Sequence, residues 1–229
     1  MPQQGPLRWL DGEGWLILLG GGDWERGETD MVDTLLLSIA NLDRPMVVLL
    51  SDGSQNAADD ILEHYTLMGG PGGEAFTLAR MTRDQLQAPK FLSLLDEAGI
   101  LYLGGENPLP LVRNLYNTRT LERILEGFTT LQGLVIIGAG GGAVALGARA
   151  VGPAPQFQHT LGLSFLMNTV IVPHFTRTED SPVLQHLSQI GPSILGLGIP
   201  DGTALAFGPQ GQVETWGTGQ VTAVVKAGE

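Results

Sequence analysis

A chain of 229 residues, 43% of them apolar, is long enough for one large α/β domain over residues 1–229 and rich enough for a full core. Its 24 acids against 12 bases leave a net charge of −12, which weighs against nucleic acid and anionic membrane surfaces, since both call for basic patches. Cysteine is missing altogether, so disulfides, thiolate catalysis and cysteine-ligated zinc are excluded.

The opening "MPQQGPLRWLDGEG" has no basic segment followed by an apolar stretch, so no signal peptide is expected. Apolar runs elsewhere are short and broken by glycine, so no bilayer span is expected and the cytoplasm is the default location. In chain order, "WLILLGGG" (residues 15–22) reads as a buried strand ending in a glycine turn. A helix follows in "TDMVDTLLLSIAN", with Met31, Val32, Leu35, Leu36 and Ile39 on one face. "PMVVLLSDG" is the next strand and "NAADDILEHYTLMGG" the next helix, stopped by its glycines. "EAFTLARM" reads as a strand, "PKFLSLLDEAG" as a helix, and "ILYLGGEN" as a strand with a second glycine turn. "PLPLVRNLYNTRTLERILEGF" predicts one long helix, with proline at its start where the missing N–H costs nothing.

"GLVIIGAGGG" is then a strand entering a third glycine turn. Strands alternating with helices of this length imply a mostly parallel sheet with helices on both faces. Past residue 152 the rhythm changes: "NTVIVPHF", "ILGLGIP", "TALAFGPQG", "QVETWG" and "QVTAVVK" are closely spaced strands, with "FGPQGQV" as a hairpin turn. The expected fold is therefore a parallel sheet extended by antiparallel strands toward the C-terminus.

In open α/β sheets ligands sit beyond the carboxyl ends of the strands, where glycine lets backbone N–H groups approach an anion or oxyanion. Two readings compete for the third turn. "GAGGGA" (residues 138–143) satisfies the dinucleotide pattern G-x-G-x-x-A, which would make the chain a nucleotide-binding oxidoreductase. That pattern also asks for an acid about 20 residues on to hold the ribose, and none occurs between Glu126 and Glu179. The other reading is a nucleophile elbow, G-x-S-x-G, with Gly140 at the place of the reactive residue.

Five segments in order support the second reading. They are the early "GGG", "LGGEN" (residues 103–107), "GAGGGA", "GLSFLMNTVIVPHFTR" (residues 162–177) and "GLGIPDGTALAF" (residues 196–207). Together they resemble the serine-peptidase family of dipeptidase E and cyanophycinase, whose fold is similar to that of class I glutamine amidotransferases. The resemblance implies a serine at residue 140 as nucleophile, His174 as its base and Asp201 as the acid that orients the imidazole. It further implies that the amides of Gly105 and Gly141 hold the oxyanion and that Asn107 faces substrate. Arg177 is the one basic residue that closely follows the histidine.

Residue 140, however, is glycine, and no serine lies between Ser93 and Ser164. Removing a triad nucleophile costs about 10⁶-fold in rate. The expectation is a catalytically degenerate relative that keeps a cleft for a small peptide or other small molecule, needing no cofactor and no metal. The alternatives are a working hydrolase using water activated by His174 and Asp201, or a hydroxyl recruited from elsewhere, and, least favoured, the oxidoreductase. Glu106 would either bind a ligand amine or cap the following helix. Trp24 and Asp23 extend the first turn, and Trp24 is read as a pocket wall or an aromatic lid over the core. His159 could reach the cleft. His64, His186, Asp59 and Asp60 are expected on solvated helix faces. An exposed sheet edge could be covered by a second copy of the chain as a homodimer.

Overall fold

The computed structural model describes residues 7–130, 134–153, 158–190 and 194–225. After a short β1 (Arg8–Trp9), the chain lays down β2 (Trp15–Leu19), β3 (Met46–Leu50), β4 (Gly73–Thr77), β5 (Ile100–Gly104) and β6 (Val135–Ala139) as parallel strands, in the spatial order β2-β6-β5-β3-β4. The links are α1 (Asp30–Ile39), α2 (Gln55–Leu67), α3 (Arg83–Leu86), α4 (Pro89–Glu97), α5 (Leu109–Leu115) and α6 (Arg119–Thr130), and α7 (Gly141–Leu146) follows β6. Strands covered on both faces need no polar side, which is why β2, β3 and β6 are almost unbroken apolar runs. Their side chains alternate between two core layers. Leu16, Leu18, Leu49, Leu103 and Ile136 enter one layer; Ile17, Leu19, Leu50, Tyr102 and Ile137 enter the other.

The later strands divide between sheets, where the sequence reading has them extending one. β12 (Thr203–Phe207) and β13 (Val213–Gly217) form the expected hairpin and continue the main sheet antiparallel, with Ala204 opposite Leu19 and Phe207 opposite Val213. β7 (Arg149–Val151), β8 (His159–Leu161), β10 (Thr169–Val172), β11 (Leu195–Gly198) and β14 (Thr222–Val225) form a second sheet in the order β14-β11-β10-β7-β8. β9 (Leu166–Met167) pairs with β1. β10 and β11 run parallel, so the chain between them must cross over, and it does so through α8 (Pro182–Gln185) and α9 (Leu187–Ile190). Leu184 and Leu187 on that crossover pack with Val170 and Phe175. The predicted end of the last strand, at residue 226, lies outside the described residues.

Two local expectations are corrected. The stripe of α1 buries Val32, Asp33, Leu36 and Leu37 and leaves Met31 exposed, so the buried face is turned from the expected one and takes in an acid. The long predicted helix is two helices. Asn117, at φ 54°, takes the left-handed conformation that ends α5. Thr118 then donates its hydroxyl to the Leu115 carbonyl (2.6 Å) and accepts from the Leu121 amide (3.2 Å), starting α6. Neither glycine nor proline marks that break. Because a side chain with Cβ in that region costs about 1–2 kcal/mol unless it is asparagine or aspartate, Asn117→Ala is expected to lower the unfolding free energy by about 1 kcal/mol. Asn117→Gly should leave it unchanged within a few tenths (~0.3 kcal/mol) in urea titrations.

Candidate active site

The carboxyl ends of β2, β3, β5 and β6 lie side by side, and the three glycine turns that leave β2, β5 and β6 face one another across them. A cavity of about 280 Å³ opens there, with Leu19, Leu50, Tyr102 and Ala139 in its floor and Gly105, Glu106, Gly140 and His174 along its wall.

The first glycine turn holds a histidine and an acid that are 27 residues apart. The Gly20 carbonyl accepts the His174 amide at 2.8 Å, and the Gly21 carbonyl accepts the Gly202 amide at 2.8 Å. Those two bonds place His174 Nδ1 2.6 Å from Asp201 Oδ1. Residue 21 must be glycine: at φ 125° a Cβ there would stand 2.2 Å from the imidazole and 2.7 Å from the carboxylate. His174 is itself at φ 51°, a conformation rare for non-glycine residues and found where the surroundings over-determine it. Both side chains are about half exposed, 49% and 53%. A pair so exposed adds about 0–1 kcal/mol to stability; its effect is on the orientation and tautomer of the ring.

Gly140 is the corner between β6 and α7, with φ 54° and ψ −118°. A Cβ at this residue would lie 3.8 Å from His174 Nε2, an ordinary contact, and 3.2 Å from the Gly105 carbonyl oxygen, a tight one, so a small side chain beside the imidazole fits only if that carbonyl gives by a few tenths of an ångström. The backbone around it departs from the sequence expectation. The Gly141 amide, expected to be open to an oxyanion, donates to the Gly105 carbonyl at 2.6 Å. Behind that turn Asp52 accepts from the amides of Glu106 (2.9 Å) and Asn107 (3.1 Å). These two bonds hold the turn with its carbonyl toward residue 141.

Other expected site residues lie elsewhere. Asn107 does not face the cavity; its Oδ1 accepts from the Leu109 amide (3.1 Å) at the start of α5, so Asn107, rather than Glu106, does the capping. Glu106 is exposed at the cavity rim. Arg177 is exposed and outside the cavity wall, as are His159 on β8 and His186. Asp59 and Asp60 are exposed, as expected.

His64 is the clearest miss. Its ring sits 5.0 Å from that of Trp24 in the cavity wall, with only 13% of the side chain exposed. It shares the inward face of α2 with Ala57, Ala58, Ile61 and Tyr65, a spacing that sequence periodicity does carry. Nε2 of His64 lies 3.0 Å from Oδ2 of Asp33, which is 98% buried. Asp33 also accepts from the Tyr65 hydroxyl (2.6 Å) and the Thr29 hydroxyl (2.6 Å). A buried carboxylate with three donors is fully served, and it ties α1 to α2 above the cavity. Burial first, then the negative charge of Asp33, raises the Tyr65 phenol well above its ordinary value, and the same causes in the same order raise Tyr102.

The family described as Peptidase family S51 matches residues 16–213. A solved structure of a peptidase from an acI-B1 Actinobacterium is similar over 95% of this chain and 90% of its own, with a TM-score of 0.65 and 20% identity. A protein of Listeria monocytogenes EGD-e, named as a candidate Peptidase E, is similar over 93% of this chain and 99% of its own, with a TM-score of 0.57 and 16% identity. At these identities the two structures share a fold with this chain. Among curated proteins none matches.

The buried network predicts behaviour in alkali. Tyr65 and Tyr102 keep their protons in the folded chain where the unfolded chain, with phenols near pKa 10, gives them up. Their stabilising contribution is whole below about pH 10 and is lost as the pH rises above it. Urea midpoints should therefore fall steeply above that pH, and the two phenolate absorbances should emerge only together with unfolding. Asp33→Ala, which strands three buried donors, is expected to cost on the order of 3 kcal/mol or more at neutral pH by the same urea assay.

Proposed function

The chain belongs to peptidase family S51, and from that premise we propose that it is a member whose site has lost its nucleophile while its cleft still binds a short peptide or comparable small molecule. The corner at residue 140 carries this reading. It has the strand-to-helix form of a nucleophile elbow, its φ of 54° is one that side chains rarely adopt, and the place of a first side-chain atom is 3.8 Å from His174 Nε2. A hydroxyl one bond further out would come within hydrogen-bond reach of that base. Glycine supplies no such atom.

The rest of the arrangement suits acyl transfer. Asp201 would hold the imidazole with Nε2 toward residue 140, ready to take a proton from an attacking group and return it to a leaving amine. Without the attacking group, about 10³–10⁴-fold of rate over water would remain from binding and oxyanion contacts. The Gly141 amide is drawn to the Gly105 carbonyl, which lowers even that remainder in this conformation and so supports a binding role. A working hydrolase with water in place of the hydroxyl is the second reading, favoured by the 2.6 Å pairing of His174 with Asp201. A cysteine-free acidic chain suits the cytoplasm as its setting. No helix among the described residues is long and apolar enough to cross a membrane.

Gly140→Ser tests the proposal. The variant is expected to fold with a strain of about 1–3 kcal/mol, to take a fluorophosphonate label on residue 140, and to hydrolyse short peptides at least about 10³-fold faster than the unaltered chain. The unaltered chain should neither label nor turn over. Turnover by it would select the water mechanism. A folded but unlabelled serine variant would show that residue 140 is not an attack point.

A further inference from the structure

We infer that Asp52 is a positioning residue that keeps the oxyanion site of this chain shut, and that an uncharged amide in its place lets the site open. The inference deepens the reading of residue 140 as an attack point and rests on it.

The arrangement begins with two neighbouring strands. β3 and β5 run parallel with Leu50 opposite Gly104, and the Ser51 amide donates to the Gly104 carbonyl at 2.8 Å. Asp52 therefore leaves β3 directly beside the turn that leaves β5. Its carboxylate accepts three bonds: from the Ser51 hydroxyl (3.0 Å) and the Glu106 amide (2.9 Å) at Oδ1, and from the Asn107 amide (3.1 Å) at Oδ2. Residue 105 admits the carboxylate because it is glycine. A Cβ there, at φ 109°, would strike both the Ser51 hydroxyl and Asp52 Oδ1.

The N–H and C=O of a trans peptide point opposite ways. With the Glu106 N–H held on Asp52, the Gly105 carbonyl must point away from it, and there it takes the Gly141 amide at 2.6 Å. Glycine at residue 141 permits that approach, since a Cβ would lie 2.6 Å from the same oxygen and 2.8 Å from the Glu106 carbonyl. The oxygen also crowds the corner, 3.2 Å from where a Cβ of residue 140 would stand. One carbonyl thus occupies the donor that an oxyanion needs and presses on the place of the attacking group.

Turning the 105–106 peptide over would reverse this. The Gly141 amide would be freed, the Glu106 N–H would point to the same side, and two donors would face one spot beside residue 140. Charge forbids the turn. A carboxylate can only accept, so the turned carbonyl would meet Asp52 Oδ1 acceptor against acceptor. Asparagine offers that carbonyl an N–H and keeps an oxygen for the Asn107 amide. Glutamate keeps the charge and with it the prohibition.

Asp52→Asn and Asp52→Glu test this in two backgrounds. In the otherwise unaltered chain, amide hydrogen exchange is followed by NMR. The Gly141 amide should exchange at least about tenfold faster in Asp52→Asn. The Gly140 amide, bonded to the Leu19 carbonyl, should keep its rate. In the Gly140→Ser background, asparagine should raise kcat on short peptides at least about tenfold with KM within about twofold, because an oxyanion donor acts on the transition state. Glutamate should raise neither the exchange rate nor kcat; should that variant not fold, asparagine alone decides. An unchanged Gly141 exchange rate in Asp52→Asn, an equal gain with glutamate, or a kcat that asparagine leaves unchanged or lowers in a chain that takes the fluorophosphonate label overturns the inference. If the serine chains take no label, the attack point at residue 140 fails as a reading, and the exchange rates still decide whether Asp52 sets the peptide.

Discussion

The imidazole of His174 fits against the first glycine turn because residue 21 has no side chain to occupy that space. The rest of the arrangement depends on this close approach. β2 delivers the turn, its Gly20 and Gly21 carbonyls fix the backbones of residues 174 and 202, and those backbones bring a base and an acid from the loops after β10 and β11 into one bond. The parallel register of β2 with β6, Leu19 opposite Ala139, then sets the corner at residue 140 beneath the ring. The geometry is made by main-chain bonds, which is why it does not need the 2.6 Å bond between His174 and Asp201 for stability.

On the proposed reading, the same register would explain how a site keeps its form after losing its chemistry. The positions that hold the turns are load points of the fold: residue 21 has no space for a side chain, and Asp52 serves two amides of the neighbouring turn. Residue 140 is held only through its main chain, its amide donating to the Leu19 carbonyl and its carbonyl accepting from the Val144 amide, both at 3.2 Å. Its space is open toward the imidazole, and glycine is the residue most at ease with its dihedrals. A change there relaxes the backbone, whereas a change at its neighbours would disturb it.

The sequence carried the parallel strands and the order of the glycine turns, because fully buried strands leave apolar runs and turns leave glycine. It also carried the four positions at 105, 140, 174 and 201 that the fold gathers at one edge, through spaced motifs. It did not carry the division of the later strands between two sheets, since β10 and β12 look alike when both faces are covered. The break at Asn117 was hidden because asparagine takes a left-handed turn without announcing it. His64 was read as a surface residue because an imidazole on a helix is normally solvated; its burial is made tolerable by Asp33, 31 residues away, which also accepts from Thr29 and Tyr65. Whether the Gly141 amide was open or taken depended on the direction of one carbonyl, which no residue pattern encodes.

The carboxylate of Asp33 joins Thr29 at the head of α1 to His64 and Tyr65 on α2, and these same residues line the recess. The hollow is thus framed by a joint of the scaffold. Mutational drift can erase an attacking atom at residue 140 without weakening the molecule, but it cannot fill or flatten the hollow without prising two helices apart. Descendants of such a chain would be expected to lose catalysis early and lose their pocket last, and to be recruited for whatever the pocket still holds.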